Sequence, residues 1–442
     1  MFPDECGLAV DAFNGHDHYM NSPDAFTNAD LDSAIAVAHG RYTDRRPLSA
    51  QMHKAALAVM PGGNTRTVLH FRPYPFRVAT AAGSRVTDVD GHTYVDLLGN
   101  YTAGLLGHSP KAVRDAIVER LDNGWSIGAT HESEIELAQL IQARFPSMER
   151  MRFTNSGTEA NLMAFGTAKH VTGRAKIVVF DNGYHGGVLS FGHGGSPMNV
   201  PHEFVVLPFN DVAALELSFA SVGRDTAAVA VELVQGSGGC VPATGEFVSA
   251  LRRLCSEHGA LLIFDEVMTS RLSPGGAQEL WGVRPDMTTL GKYLGGGMSF
   301  GAFGGELSVM EAFDPDKGGV LTQAGTFNNN VISMAAGVAA LKHVVTPAAL
   351  IALNERGDQL RERLNDLFAA RGQPFSVRGR GSMMNFAMGN DAWMELLFHS
   401  CLDSGFYIAR RGMIALSLEV TLQQIEDFCA HIDRWAADPL PT

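Results

Sequence analysis

The sequence predicts an α/β protein with two unequal parts. The larger has a mostly parallel sheet between helices, and the smaller is an α+β domain formed by the chain ends. Short apolar runs alternate with helical segments through the middle of the chain, and long helices and alternating strands follow towards its end. Parallel strands are covered on both faces, so they read as continuous apolar runs.

The composition supports a large folded core and small-molecule partners. The chain has 442 residues, of which 45% are hydrophobic and 18% charged, which is too apolar for a disordered protein. Its formal net charge of −13 disfavours nucleic acid as a partner, because an acidic surface repels a polyanion. An anionic substrate would therefore need a local group of cationic side chains.

The cysteines and the N-terminal sequence favour the cytoplasm. The cysteines are odd in number and contain no CxxC pair, which favours a reducing compartment. The start of the chain lacks a basic stretch followed by an apolar core, and no apolar run reaches the ~18 residues of a membrane span. We therefore expect a cytoplasmic protein without a membrane partner.

Composition and pattern divide the chain into four expected segments. These are an N-terminal extension (1–47), the N-terminal part of the small domain (48–95), the large ligand-binding domain (96–335) and the C-terminal small domain (336–442). The extension is rich in turn formers, so we expect it to be loosely ordered or packed on a neighbour. His16 and His18 could bind a metal, but a solvated loop is the stronger interpretation, and no metal site is expected.

Local patterns predict the elements after the extension. The stretch SAQMHKAALAVM predicts a helix that ends at PGGNTR, and RVTDVDGHTYVDLL predicts a hairpin around Asp90-Gly91. Five apolar runs then predict the strands of the parallel sheet, namely MRFTN, KIVVF, FVVLPF, AAVAVEL and ALLIFDEV.

The C-terminal region mixes helices and strands. ISMAAGVAALKHVV and PAALIALNERGDQLRERLNDLFAARG predict helices, and FSVRGRGSMMNFAM and GFYIARRGMIALSL predict strands. The last periodic segment, TLQQIEDFCAHIDRWAAD, predicts an amphipathic helix.

One lysine has an unusual setting. In TTLGKYLGGGMSFGAFGG, Lys292 follows a strand-like run and precedes three glycines within a few residues. A lone lysine of this kind is most often a surface side chain beside a tight turn, but its neighbours along the predicted sheet favour another interpretation.

Two further motifs lie where predicted strands end. In ALLIFDEVMTS a buried strand ends at Asp265, and open α/β sheets bind ligands outside the carboxyl ends of their strands. In MRFTNSGTEANLMAF a strand breaks at Ser156, Gly157 and Thr158 before a helix, which gathers free N–H groups and hydroxyls suited to a phosphate. Helix capping is the alternative role for all of these residues.

Together with Tyr184 and Thr326, these motifs describe one ligand. Tyr184 follows a turn in FDNGYHGGVLSFG and could stack on a planar ring or pack in the core, and Thr326 in QAGTFNNNV could offer a hydroxyl to an anion. The combination suits a phosphorylated aromatic aldehyde. Its phosphate would lie on residues 156–158, its pyridine nitrogen at Asp265, and its aldehyde on Lys292 as an imine.

The chemistry of such a ligand requires these side-chain types. An ammonium of pKa ~10.4 becomes nucleophilic only after it loses its proton, and imine formation secures this for Lys292. An anionic Asp265 keeps the pyridine nitrogen protonated, so that the ring can accept the electron pair left by C–H cleavage. Val267 would pack on the ring face opposite Tyr184. Glu232, after AAVAVEL, could orient groups near the ring oxygen or serve as a buried structural carboxylate.

The same motifs resemble those of a known family. NSGTEANLMA, GYHGG, FDEVMTSRL, TTLGKYLGGGMSFGAFGG and GTFNNN are similar to motifs of the fold-type I, class III pyridoxal-phosphate aminotransferases, over residues 61–417 approximately. The resemblance implies pyridoxal 5'-phosphate as cofactor and a homodimer with shared active sites, in which Thr326 reaches the phosphate bound by the partner subunit.

Within this class the sequence resembles the aromatic β-amino acid (β-phenylalanine) aminotransferases. It carries SRL after DEVMT and the loop FNNN, whereas the related glutamate-1-semialdehyde aminomutases usually carry GFR after DEVMT. The resemblance implies that Arg66, in GGNTRTVL, and Arg411, in YIARRGMIALS, hold carboxylates, since a guanidinium grips a carboxylate at two points. Arg410 is adjacent, and either of the pair could face the site. The segment between Met388 and Tyr407 is also shorter than in the family pattern.

We therefore expect a ping-pong aminotransferase that moves an amino group from a β-amino acid of aromatic type to a keto acid such as 2-oxoglutarate. Lys292 would act as general base and acid. An aminomutase of the related group is the first alternative, and a non-catalytic binding protein of the same fold is the second. A nucleotide-dependent enzyme has little support, because neither GxGxxG nor GxxxxGK[ST] occurs.

Overall fold

A seven-stranded sheet lies at the centre of the protein, in a computed structural model that describes residues 28–437. The helices of this part of the chain are α1 (Asn28–Arg45), α2 (Pro47–Leu57), α3 (Lys111–Asn123), α4 (Glu132–Arg144), α5 (Gly157–Thr172), α6 (Val212–Val222), α7 (Gly245–His258), α8 (Ala277–Trp281), α9 (Leu307–Met310), α10 (Val331–His343), α11 (Pro347–Ala370), α12 (Asp391–Asp403) and α13 (Leu422–Ala437).

The strands include every run that the sequence predicts. They are β1 (Val78–Ala82), β2 (Arg85–Asp88), β3 (Thr93–Asp96), β4 (Arg150–Thr154), β5 (Lys176–Phe180), β6 (Tyr184–Gly186), β7 (Leu189–Ser190), β8 (Glu203–Leu207), β9 (Thr226–Val231), β10 (Val234–Gln235), β11 (Val241–Pro242), β12 (Leu261–Asp265), β13 (Met287–Gly291), β14 (Gly301–Gly305), β15 (Ser376–Arg380), β16 (Met383–Ala387), β17 (Phe406–Tyr407) and β18 (Met413–Ala415).

The central sheet has the order β4-β14-β13-β12-β9-β5-β8, and β14 is antiparallel to both of its neighbours. Its two faces are covered by different helices. Val229 and Val231 of β9 belong to a core with α6 and α7, whereas Ala228 and Ala230 belong to a core with α5. This alternation explains the continuous apolar runs, because every residue of such a strand is buried. The predicted α/β class is confirmed.

Glycines let β14 approach the start of α5. A Cβ added to Gly301 would lie 2.2 Å from the carbonyl oxygen of Ser156, which is much closer than a methyl group can come. Only glycine therefore allows β14 to pass directly beside the loop that begins α5. The glycine-rich sequence after Lys292 thus has a packing role in addition to any room it leaves for a ligand.

The two ends of the chain share a smaller sheet. The predicted hairpin forms from β2 and β3, and β17 then pairs with β3 in parallel. A second small sheet, β15-β16-β18, lies beside α11, which also packs on α13. Long-range pairing between β3 and β17 therefore joins the segments before and after the central sheet.

The extension contains a helix that the sequence analysis did not predict. We expected residues 1–47 to be loosely ordered or packed on a neighbour, but α1 occupies the second half and packs on α12 of the same chain. The apolar part of this contact includes Leu31, Ala34, Ala38 and Leu396. The spacing of these α1 residues is that of one helix face. His16 and His18 lie outside the described residues.

Residues 28–437 contain no single helix that is both long and apolar enough to cross a membrane. The pair α10 and α11 meets these criteria only when taken together, and the chain bends by 78° between the two helices.

Candidate active site

Residues that the sequence singles out follow the carboxyl ends of neighbouring strands. Asp265 ends β12, Lys292 follows β13, and Glu232 follows β9. Ser156 follows β4 by way of a short loop. Carboxyl ends of parallel strands meet along one edge of the sheet, so the fold gathers these side chains at the position where open α/β sheets bind ligands.

Asp265 is buried and held by three donors. The Asn161 side-chain amide donates to Oδ2 at 2.8 Å, His185 Nδ1 lies 2.8 Å from the same oxygen, and the backbone N–H of Val267 donates to Oδ1 at 3.0 Å. Burial lowers the pKa of His185, but the hydrogen bond and the charge of Asp265 outweigh it and the pKa is raised overall. These contacts fix the direction in which the carboxylate points.

Lys292 begins a short 3-10 turn with strained backbone. Its φ of 58° lies in the left-handed region, which residues other than glycine rarely adopt and which is common at functional sites. Burial lowers the pKa of its ammonium, Asp265 and Glu232 oppose this, and the Arg66 and Arg411 guanidinium groups lower the pKa further. A lowered pKa favours the neutral amine, which is the nucleophilic form.

The start of α5 forms a compact cradle beside Val267. Ser156 is the N-cap, and its Oγ accepts a hydrogen bond from the Glu159 N–H at 3.2 Å. A Cβ on Gly157 would lie 2.7 Å from the Val267 side chain, so glycine is required for this close approach. Thr158 Oγ1 accepts a bond from the N–H of Gly187 at 3.2 Å. Free N–H groups of the first turn and the positive end of the helix dipole suit an anion.

Glu232 positions the backbone around Tyr184. Its Oε1 accepts from the Tyr184 N–H at 2.8 Å, and its Oε2 accepts from the Gly236 N–H at 3.0 Å. Burial raises the pKa of Glu232 to about 7, a rise that the charge of His185 opposes and the charge of Asp265 assists. Of the two roles that the sequence left open, these contacts favour the buried structural carboxylate.

Two arginines lie at the more open side of the same region. Arg66 Nη1 donates to the Asn100 side-chain oxygen at 2.8 Å, and Arg411 Nη1 donates to the backbone oxygen of Ser237 at 3.1 Å. The two guanidinium groups lie 5.9 Å and 5.4 Å from the centre of the Tyr101 ring, within the range of a cation–π contact.

Arg410 points elsewhere. Its Nε donates to Glu395 Oε2 at 2.6 Å, and the other oxygen of Glu395 lies 2.9 Å from His39 Nε2 and 3.3 Å from His399 Nε2. This group of four side chains joins α1 to α12. The structure therefore brings Arg411, rather than Arg410, beside Tyr101.

Thr326 is exposed, and its side chain makes no hydrogen bond to another residue in the 28–437 range. The neighbouring Phe327 is 61% exposed. The structure does not place Thr326 in contact with the other predicted site residues of its own chain, so its role at a partner's phosphate stays a prediction.

The sequence analysis missed the residues that hold the predicted ones in place: Asn100, Tyr101, Asn161, His185 and Ser237. Asn161 and His185 lie inside the motifs SGTEAN and GYHGG, so their proximity to those motifs was the available signal. Residues 100–102 all have positive φ, with values of 46°, 53° and 77°. No propensity rule predicts a left-handed turn that includes tyrosine and threonine.

A mostly parallel sheet with a lysine, an anchored carboxylate and an anion cradle along one edge defines a pyridoxal-phosphate enzyme. The family model described as aminotransferase class-III matches residues 70–435, and the chain belongs to this family of pyridoxal-phosphate-dependent aminotransferases. The family, the fold class and the cofactor expected from the sequence are therefore confirmed.

Individual relatives agree with this assignment. The β-phenylalanine transaminase of Variovorax paradoxus is 48% identical over 419 residues, which cover 92% of this chain and 96% of the relative. The glutamate-1-semialdehyde 2,1-aminomutase of Aquifex aeolicus (strain VF5) is 41% identical over 353 residues, covering 76% of this chain and 82% of the relative.

Solved structures are similar over nearly the whole chain. The crystal structure of a β-phenylalanine aminotransferase from Variovorax paradoxus has a TM-score of 0.90 and 46% identity, covering 92% of this chain and 97% of that one. A transaminase solved with pyridoxal phosphate bound has a TM-score of 0.84 and 32% identity, covering 89% and 98%.

Proposed function

We propose that this enzyme transfers the amino group of a β-amino acid, of aromatic type, to a keto acid such as 2-oxoglutarate in a ping-pong reaction. The observation that carries the proposal is the pair of arginines, Arg66 and Arg411, whose guanidinium groups lie 5.9 Å and 5.4 Å from the centre of the same Tyr101 ring. Similarity to the β-phenylalanine transaminase of Variovorax paradoxus supports the choice of donor.

The residues along the sheet edge fit pyridoxal phosphate. The first turn of α5, with Ser156, Gly157 and Thr158, would hold the phosphate, because its cradle is too narrow for a side chain at Gly157 and offers N–H donors. Asp265, with its direction fixed by three donors, would face the ring nitrogen. Tyr184 and Val267 would contact the two ring faces. When bound, the cofactor supplies an electron sink for cleavage of a substrate C–H bond.

Lys292 carries the proton transfers in this proposal. Its amine, whose pKa is lowered by burial and by the two guanidinium groups, removes a proton from the substrate carbon that bears nitrogen. The resulting ammonium is stabilised by Asp265 and Glu232, whose charges favour the protonated lysine. Lys292 then returns the proton to the carbon on the other side of that nitrogen, so one side chain serves as base and acid.

Arg66 and Arg411 would bind the substrate carboxylates. A guanidinium presents parallel N–H donors that match the two oxygens of a carboxylate, and it keeps its charge at every working pH. A β-amino acid needs one such contact, and 2-oxoglutarate can use two.

We also propose a cytoplasmic homodimer in which Thr326 of one protomer completes the phosphate site of its partner. Two large apolar side chains near Thr326 support an interface there, since Val320 is 70% exposed and Phe327 61% exposed. Analytical ultracentrifugation tests the dimer. A monomer that turns over at full rate would contradict both the dimer and the role of Thr326.

The first test is the half-reaction with β-phenylalanine. Enzyme loaded with pyridoxal phosphate should lose the visible absorbance of the bound aldehyde form when β-phenylalanine is added, and 2-oxoglutarate should restore it. A Lys292→Ala variant serves as the control, because it retains the cradle but lacks the amine.

The same preparation distinguishes the proposed aminotransferase from an aminomutase. Similarity to the 41% identical aminomutase of Aquifex aeolicus supports this alternative. An aminomutase exchanges the amino group within one carbon skeleton and requires no external keto acid. Turnover of glutamate-1-semialdehyde, with no amino transfer from β-phenylalanine to 2-oxoglutarate, would reject the proposed donor and favour the aminomutase.

A further inference from the structure

Both arginines of the candidate site are held by neutral acceptors. Arg66 Nη1 donates to Asn100 Oδ1 at 2.8 Å, and Arg411 Nη1 donates to the backbone oxygen of Ser237 at 3.1 Å and to its hydroxyl at 3.4 Å. Within residues 28–437 neither guanidinium forms an ion pair with a carboxylate. Arg410, the neighbour in sequence, does form one, with Glu395.

Both arginines have a further contact, with the Tyr101 ring. The Tyr101 ring lies under both guanidinium groups, and its hydroxyl donates to the backbone oxygen of Val68 at 3.0 Å, which fixes the ring. Arg411 also places Nη2 3.7 Å from the Met413 sulfur. Its Nε is buried and has no acceptor among the described residues. A buried donor without a partner is costly, so this group favours an incoming acceptor.

Neutral and acidic acceptors differ in how much positive charge they leave on a guanidinium group for a substrate. A carboxylate at either position would pair with its arginine, lower the local positive charge and compete with the substrate for the same N–H donors. An amide oxygen or a hydroxyl orients the guanidinium and leaves its full charge available. The protein is acidic overall, with a net charge of −13, so local positive charge is needed to attract an anionic substrate.

We propose that Asn100 and Ser237 are specificity-determining residues, which position Arg66 and Arg411 and keep both guanidinium groups without an acidic partner, so that each can bind a substrate carboxylate. This inference rests on the proposed function, since it assigns carboxylate binding to the two arginines. It predicts that the site accepts a dicarboxylate across both arginines and a monocarboxylate at one of them.

Matched substitutions test the effect of charge alone. Asn100→Asp changes an amide into a carboxylate of the same shape, and Ser237→Asp can be compared with Ser237→Asn, which has the same size and no charge. Asn100 and Ser237 are both exposed, so the longer side chains at 237 have room. Cofactor absorbance and Tm should match those of the unchanged enzyme, which checks that the fold and the cofactor site are intact.

The measurement is calorimetric binding of glutarate and of 3-phenylpropanoate to the enzyme loaded with pyridoxal phosphate. These unreactive acids report carboxylate affinity without any turnover. We expect the Kd of glutarate to rise about five- to tenfold in each Asp variant, as for the loss of one charged contact, and to change less than about twofold in Ser237→Asn. Raising the salt concentration should reduce the difference between Ser237→Asp and Ser237→Asn.

Two results would overturn the inference. If Ser237→Asp and Asn100→Asp bind glutarate as tightly as the unchanged enzyme, an acidic partner does not compete with the substrate. If Ser237→Asn weakens binding as much as Ser237→Asp, the hydroxyl or its size matters and the charge does not. An enzyme that shows the charge effect but fails to react with β-phenylalanine would reject the proposed donor and still support the role of Asn100 and Ser237.

Discussion

The two sides of the candidate site are built in different ways. On the proposed cofactor side, Asp265 and Lys292 stand at the ends of central strands and are surrounded by buried groups. On the proposed substrate side, Arg66 and Arg411 lie in connecting segments and are partly or largely exposed. A strand end is fixed by the whole sheet, whereas a loop depends on a few contacts. In the proposed function, chemistry and substrate choice are therefore carried by separable parts of the molecule.

The largest effect is expected at Lys292. Lys292→Ala removes the nucleophilic amine and the proposed base together, so kcat/KM for every amine should fall by about 10⁴-fold or more. Stopped-flow measurement of both half-reactions checks this. A loss that depends on whether the amine carries a carboxylate would contradict the separation of the two sides.

A smaller but equally general loss is expected at Asp265. Asp265→Asn retains the shape and removes the charge, which should lower kcat by about ten- to a hundredfold, the cost of one interaction of ~1.5–3 kcal/mol with a charged group. Amines with and without a carboxylate should be affected alike. A change confined to KM would show that Asp265 acts on binding instead.

The next largest effects are expected at the two arginines of the proposed substrate side. Arg411→Leu should raise KM for β-phenylalanine about tenfold, because the contact with the carboxylate is removed, and should affect carboxylate-free amines much less. Arg66→Ala should weaken β-amino acids selectively in the same way. Arg410→Ala is the matched control, because Arg410 pairs with Glu395.

The control variant should change stability and leave KM alone. Loss of Arg410 leaves the mostly buried Glu395 with fewer donors, so a fall in Tm of a few degrees with an unchanged KM is expected. An Arg410→Ala enzyme with a KM like that of Arg411→Leu would show that both arginines serve the substrate.

The smallest predicted effect concerns Glu232 and pH. Its pKa in the folded protein is about 7, above the ordinary value of 4.5. The folded state therefore binds the proton more tightly than the unfolded chain does, and this contribution to stability is complete below pH 4.5 and is lost as the pH rises towards 7.

The side chain in Glu232→Gln cannot ionise, so this variant does not lose stability in this way as the pH rises. The Tm of the unchanged enzyme, relative to that of Glu232→Gln, should therefore fall between pH 5 and pH 7. The corresponding loss in the free energy of unfolding is at most ~3 kcal/mol. Scanning calorimetry at several pH values measures it. A difference in Tm that stays constant over this range would show that Glu232 keeps an ordinary pKa.

Much of the fold was predictable because it depends on local patterns. The five apolar runs became β4, β5, β8, β9 and β12, and the hairpin formed at Asp90-Gly91. The helix α1 and the glycine-rich strand β14 were missed. The apolar residues of α1 are few and follow a segment rich in turn formers, so the helix was not predicted. Glycine has a low strand propensity, so the formation of β14 depends on its close approach to Ser156 and not on the strand propensity of its residues.

The sequence by itself determined the family, the cofactor and the order of the motifs along the chain, because strand ends, helix starts and a glycine-flanked lysine are local features. It left open which of Arg410 and Arg411 faces the substrate. Only the tertiary structure shows that Arg411 lies beside Tyr101 and that Arg410 pairs with Glu395, since adjacent side chains point in different directions and their partners, Glu395 and Ser237, lie 15 and 174 residues away in sequence. Whether a guanidinium group pairs with a carboxylate or with a neutral acceptor depends on how the chain folds, and local sequence propensities do not encode this.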